Sequence, residues 1–198
     1  MGYTTEFKGQ FNLNKQLDPE TKDFLTRLAH TRRMKRNVDP KYGVEGEFYA
    51  ENMENFGQND NSNIIDINRP PSTQPGLWLQ WIPTENGLHI VWDGGEKFYH
   101  YIEWLQYLVD KILEPRGYRL SGKVQWQGES IDDFGVIYAY ENLILSSNSE
   151  EYSTIKTFAN KHKTDIKSFL KNEKNLPPLM GLSKETDRWI STRLKEKK

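Results

Sequence analysis

Five segments of the chain have the pattern of β-strands, at residues 5–14, 77–83, 88–93, 118–126 and 136–140. In residues 5–14 and 118–126, apolar and polar residues alternate with a period of two, which indicates a strand with one buried face. Asn86-Gly87 lies between the second and third segments and tolerates the positive φ that a tight hairpin requires. We therefore predict a first strand followed later in the chain by two hairpins.

Two segments of the same region have helical spacing instead. Asp18 is a good N-cap and Pro19 suits the first helical position, and they precede an apolar stripe from Phe24 to Ala29. The second segment runs from Phe98 to Leu113 after a Gly-Gly turn, and Pro115 with Gly117 predicts its end. Each helix presents one apolar stripe, so both are expected to pack on the sheet.

The predicted order is strand, helix, loop, strand, strand, helix, strand, strand. Without the last strand this is the ferredoxin-like βαββαβ order, with two helices on one face of an antiparallel sheet. We expect an α+β body over residues 1–145, with about five strands. Residues 150–198 show two more helical patterns and form a predicted C-terminal two-helix extension.

Residues 37–76 connect the first helix to the second strand and are rich in Asn, Asp, Gly and Pro. A connection of this length in a small domain is usually functional or disordered. Ile64, Ile65 and Ile67 are expected to pin it to the body.

Composition sets limits on function. The chain has 198 residues, 13% aromatic residues with six Trp, and no cysteine, which excludes disulfides, thiolate metal sites and a Cys nucleophile. Its start carries no signal-peptide pattern and no apolar run reaches membrane-span length, so we expect a cytoplasmic protein. The net charge is +5 over residues 150–198 and −6 over the rest. This charge asymmetry indicates either a tail that contacts an anionic partner or a solvated Lys-rich helix pair.

Two acidic turns are the candidate metal site. They follow predicted strands and, if they meet at one edge of the sheet, their carboxylates have the chemistry to bind Mg²⁺ or Ca²⁺ or to act as acid and base. The competing interpretation is that these are ordinary turn and helix-cap residues. The residues concerned are Asp93, Glu96, Glu129, Asp132 and Asp133.

A basic run at the end of the first helix is the candidate binding site. Such cations suit phosphates, and exposed aromatic rings stack on bases. The competing interpretation is that the cations complement the helix dipole and the aromatics belong to the core. The candidates are Arg32, Arg33, Arg36 and Arg69, with Trp78, Trp81 and Trp92.

Four blocks of sequence, YTTEFKG, TQPGLWLQW, WDGGEKF and QGESIDDFG, resemble a family of small uncharacterised proteins of bacteriophages and bacterial mobile elements. The resemblance spans roughly residues 3–145. It implies an intracellular, phage-derived origin and assigns no catalytic residue.

The four histidines are scattered, and no nucleotide-binding or metalloprotease motif is present. The leading hypothesis is a binding protein without catalysis or cofactor, such as an accessory factor or inhibitor of a host protein, with no membrane contact. It expects the loop and the tail to form the contact surface. The alternatives are a divalent-metal enzyme acting on a nucleotide or phosphoester, and an RNA- or nucleotide-binding protein.

Overall fold

The computed structural model describes residues 2–51, 54–59 and 61–146. The predicted C-terminal extension at 150–198 lies outside the described residues. Within them, the predicted α+β fold with an antiparallel sheet and two helices is confirmed. The strands are β1 (Glu6–Leu13), β2 (Lys35–Arg36), β3 (Ile64–Asp66), β4 (Trp81–Pro83), β5 (His89–Trp92), β6 (Leu120–Gln127), β7 (Phe134–Tyr140) and β8 (Leu143–Ser146).

Six of these strands form one antiparallel sheet in the order β4-β5-β1-β6-β7-β8, and β2 pairs with β3 separately. The strand β8 was not predicted. It pairs with β7 across a tight turn in which Glu141 and Asn142 have φ values of 49° and 73°. Positive φ at both central residues is the requirement of a type I′ hairpin, and Glu-Asn is a weaker signal for it than Asn-Gly.

β1 occupies a central place in the sheet and pairs with β6 along its whole length. Phe11 is fully buried, faces Ile90 on one side and lies opposite Gly122 on the other. Gly122 has φ 137°, and a Cβ there would lie 2.9 Å from the carbonyl oxygen of Gln10. The close pairing of β1 and β6 therefore depends on glycine at this position.

The helix α1 (Pro19–Ala29) begins as predicted. The Asp18 carboxylate accepts from the backbone N–H of Thr21 at 2.7 Å and from its hydroxyl at 2.8 Å. The Tyr118 hydroxyl donates to the same carboxylate at 2.7 Å. This cap therefore fastens the start of α1 to the segment that leads into β6.

The helix α2 (Tyr101–Leu108) begins three residues later than predicted, after His100 in a left-handed conformation. It continues without a break through a π-helical turn at Val109–Leu113 and a 3₁₀ turn at Glu114–Arg116. Side chains of α1 and α2 join a single core with the sheet. That core includes Phe7, Phe11, Leu25, Leu28, Trp81, Ile90, Trp104, Leu105, Leu108, Val124 and Ile137.

The opposite side of the β6–β7 pair is buried as well. Lys123 and Gln125 of β6 and Val136 and Tyr138 of β7 alternate with the core residues, and each is at most 4% exposed. This strand pair is thus covered on both faces, unlike β1, whose Glu6 and Asn12 are exposed. No helix among the described residues is both long and apolar enough to cross a membrane.

Candidate interaction surface

The connection of residues 37–76 is organised by one buried cation. Arg33 is 1% exposed, and its guanidinium donates to the carbonyl oxygens of Tyr49 at 2.7 Å, Glu47 at 2.9 Å and Gly46 at 3.2 Å. It also donates to Oε1 of Gln74 at 3.3 Å. Burial lowers the pKa of Arg33 to about 10, so it remains charged at neutral pH. The loop therefore folds around this side chain.

A buried carboxylate completes the same network. Glu47 accepts from the hydroxyl of Thr73 at 2.7 Å, from the hydroxyl of Tyr107 at 3.1 Å and from the N–H of Val44 at 3.3 Å. Burial raises the pKa of the Tyr107 hydroxyl well above its usual range, so this phenol stays protonated and donates its hydrogen bond. These hydrogen bonds join two parts of the loop to each other and tie the loop to α2, so the role of Glu47 is structural.

Arg36 also points inward. It is 2% exposed, donates to the carbonyl oxygen of Gly57 at 2.6 Å, and lies 4.4 Å from the ring centroid of Tyr49. The binding-site prediction included Arg33 and Arg36 because they follow a helix in a basic run. Their guanidinium groups are instead used by backbone and side-chain acceptors of the loop, which withdraws both from contact with phosphate.

Trp81 and Trp92 belong to the aromatic core rather than to a stacking surface. Trp81 is 1% exposed and its indole donates to the carbonyl oxygen of Tyr101 at 2.8 Å. Trp92 is half-buried and donates to Oε1 of Gln80 at 3.0 Å. Both rings lie within 5.5 Å of Phe7, so the high aromatic content of this chain serves its packing.

Arg32 is partly exposed, unlike Arg33 and Arg36 of the same basic run, and it belongs to a cluster at the protein surface. Its Nε donates to the carbonyl oxygen of Ile67 at 3.1 Å, and its guanidinium lies 5.5 Å from the ring centroid of Trp78. Trp78 in turn meets Phe56 edge to face, with 5.5 Å between ring centroids. The backbone N–H of Arg32 donates to the carbonyl oxygen of Phe56 at 2.9 Å.

The backbone at Phe56 has a strained conformation, and the side chain points towards the solvent. Its φ is 57° and that of Asn55 is 46°, in the left-handed region that bulky residues rarely adopt. The side chain is 50% exposed. Such a conformation costs about 1–3 kcal/mol per residue and persists where surrounding contacts enforce it, often at functional sites. Here the bonds from Arg32 to the carbonyl oxygen of Phe56 and from Arg36 to that of Gly57 hold the two peptide groups that follow the ring.

Two exposed isoleucines lie in and directly after β3, and the carbonyl oxygen of Ile67 accepts from Arg32. Ile65, in β3, is 61% exposed and Ile67, directly after it, is 42% exposed. Both were expected to pin the loop to the body, and the structure corrects that expectation, because the polar network of Arg33 does so instead. Arg69 is also exposed and pairs with Asp66 at 3.5 Å. We define the loop surface as Arg32, Phe56, Ile65, Ile67, Arg69 and Trp78.

The acidic turns hold the N-terminal segment and their own loops. Asp93 accepts from the N–H of Gly95 at 2.7 Å, and partial burial raises the pKa of its carboxyl. Glu129 accepts from the N–H of Thr4 at 2.7 Å, and Asp133 accepts from the hydroxyl of Tyr3. Glu96 and Asp132 flank these groups in the two turns. Across the described part of the chain, no three His, Cys, Asp or Glu residues are grouped so as to hold a metal ion.

The sequence-based candidates Arg32, Arg69 and Trp78 lie on the loop surface, and Phe56 was not among the candidates. Its only signal is an isolated aromatic residue in a segment of Asn, Asp and Gly, where no core periodicity explains it. The chain matches no protein-family model, no curated protein and no solved structure.

Proposed function

We propose that this protein acts without catalysis, as a binding protein whose loop surface contacts another protein. The observation that carries the proposal is the half-exposed Phe56, held outward against Trp78 and Arg32 at a cost in backbone strain. Arg, Trp and Phe are enriched in the centres of protein interfaces, and Trp and Arg dominate their binding energy. A strained, solvent-facing aromatic ring gains its stabilisation when a partner covers it.

A protein partner is favoured over RNA by the surroundings of the ring. Ile65 and Ile67 offer aliphatic area that does not stack on bases, and after burial of Arg33 and Arg36 only two arginines remain on the loop surface. The part of the chain before residue 150 carries a net charge of −6, which opposes polyanion binding.

The body supports a ferredoxin-like interpretation. In the strand order β4-β5-β1-β6, the strand β1 lies between β5 and β6. This supports the interpretation because the first strand of a ferredoxin-like fold lies between its third and fourth strands. β7 and β8 then extend one edge of that sheet. We propose this fold, and an intracellular origin in a phage or mobile element, as the context in which the loop surface works as an accessory factor or inhibitor.

The test is affinity purification of the full-length protein from cells, with quantitative mass spectrometry of the retained proteins. Phe56→Asn removes the ring and suits the left-handed backbone, so the fold is preserved. Ile131→Ala is the control, because Ile131 is the most exposed large apolar residue outside the loop surface, at 79%. We expect a protein that the control retains and Phe56→Asn loses, with direct binding then measured on the purified pair.

An identical set of retained proteins for both variants would reject the proposal. Retention of RNA that falls steeply with added salt, and with Arg32→Ala, would replace the protein partner with a nucleic acid.

A further inference from the structure

A second feature lies away from the loop surface, where α1, the 3₁₀ turns of residues 40–46 and the end of α2 meet. These three elements line an open cleft of about 470 Å³, and this volume is within the usual range for small-molecule sites. Four cations line it, namely Arg27, Lys41, Lys111 and Arg116. We call this the basic cleft.

The cations are held in different ways. Arg27 pairs with Asp23 at 2.8 Å and donates to the carbonyl oxygen of Ala50 at 3.0 Å, so it fixes the cleft wall. Arg116 donates to the carbonyl oxygen of Ile112 and lies 5.7 Å from the ring centroid of Phe24.

Lys41 and Lys111 are both exposed, so their charges face the solvent of the opening. The hydrogen bond between Lys41 and Tyr42 raises the pKa of the ammonium group, which therefore stays charged. Glu51 is the one carboxylate of the lining, and Asp23 pairs with Arg27, so two positive charges remain in excess. This concentration stands out in a region of the chain whose net charge is negative.

Aromatic side chains form the rest of the wall. Phe24 and Phe48 lie with 6.3 Å between ring centroids, and both are partly exposed. Tyr42 also lines the cleft and packs edge to face on Tyr49, with 5.2 Å between ring centroids. Aromatic side chains pack against planar rings and cations pair with phosphates, which are the two kinds of contact that a nucleotide makes.

We propose that the basic cleft binds an organic phosphate with a planar ring, of the nucleoside diphosphate class. The site shares no residue with the loop surface, so the two proposals stand or fall separately. It also differs from the sequence-based binding site, of which the structure places Arg33, Arg36 and Trp81 in the interior.

Isothermal titration of the full-length protein with ADP, pyrophosphate and adenosine tests the proposal. We expect ADP to bind more tightly than either fragment, and its affinity to fall as salt is added, because exposed charges are screened. Lys111→Gln is expected to weaken ADP about fivefold, the effect of one exposed charge contact. The matched control is Lys97→Gln, which removes an exposed lysine outside the lining and leaves the affinity unchanged.

Either of two results would overturn the proposal. One is ADP binding that Lys111→Gln and Arg116→Gln leave unaltered, which would place the ligand elsewhere. The other is pyrophosphate binding as tightly as ADP, which would show that the aromatic side chains of the cleft do not contribute to binding the planar ring.

Discussion

At the scale of single residues, two neighbours in the sequence differ completely in their surroundings. Arg32 and Arg33 are adjacent, yet one lies on the loop surface and the other is buried with four acceptors. A buried cation left without its acceptors is costly, and so are acceptors left without their cation. The local sequence, Thr-Arg-Arg-Met, contains no information that separates these two roles.

Replacement of Arg33 by Met should therefore destabilise the protein strongly. We expect a loss of about 3–5 kcal/mol in the free energy of unfolding, because the carbonyl oxygens of Gly46, Glu47 and Tyr49 lose their donor inside the protein and the Glu47 carboxylate loses a nearby positive charge. Arg32→Met is the matched control, with an expected change of about 0.5 kcal/mol. Urea unfolding of both variants, followed by tryptophan fluorescence, measures the difference. Similar losses for the two would show that Arg33 does not organise the loop.

Phe56 permits a prediction about strain. Phe56→Asn should be more stable than Phe56→Ala by about 0.5–1 kcal/mol, because both remove the ring while Asn better tolerates the left-handed backbone. The same urea titration provides the comparison. Equal stability of the two variants would mean that the backbone at residue 56 relaxes and the ring is not held out by strain.

At the scale of elements, regular structure follows from local rules and its exceptions do not. The periods of β1 and β6 and the Asp18-Pro19 start of α1 were all readable, because each depends on residues close in sequence. The loop of residues 37–76 was not, since its fold depends on Arg33 from before it and Tyr107 from far beyond it. The candidate site was the hardest part to predict from the sequence, because tertiary contacts determine that Phe56 is exposed and that Trp81 is buried.

The cap of α1 predicts a pH dependence. Hydrogen bonds from Thr21 and Tyr118 lower the pKa of Asp18 from 3.8 to about 2. A carboxyl whose pKa is lower in the folded state contributes stability above its unfolded pKa and loses it as pH falls through the folded value. We expect this contribution to be complete above pH 4 and to vanish towards pH 2. Asp18→Asn should therefore show a shallower loss of thermal stability across that interval than the unaltered protein.

A control separates the cap from general acid effects. Asp23→Asn removes an exposed carboxylate from the same helix, one that pairs only with Arg27 at the surface. Its acid profile should parallel that of the unaltered protein. Parallel profiles for Asp18→Asn as well would contradict the assignment of the low pKa to the cap.

At the scale of the whole molecule, the sheet has two unequal sides. Both helices contribute to the core on one side, with Phe7, Phe11 and Val124. On the other side, burial is concentrated on β6 and β7 and declines towards β1. A strand pair buried on both faces is typical of the centre of a layered domain rather than its margin.

The same asymmetry bears on how the protein can evolve. The core that both helices share on one side of the sheet restricts substitutions there, whereas the exposed positions of β1, Glu6 and Asn12, can change without rebuilding the interior. Variation at such positions would change the surface of the sheet, while Phe56 and Arg32 keep the backbone hydrogen bond that joins them.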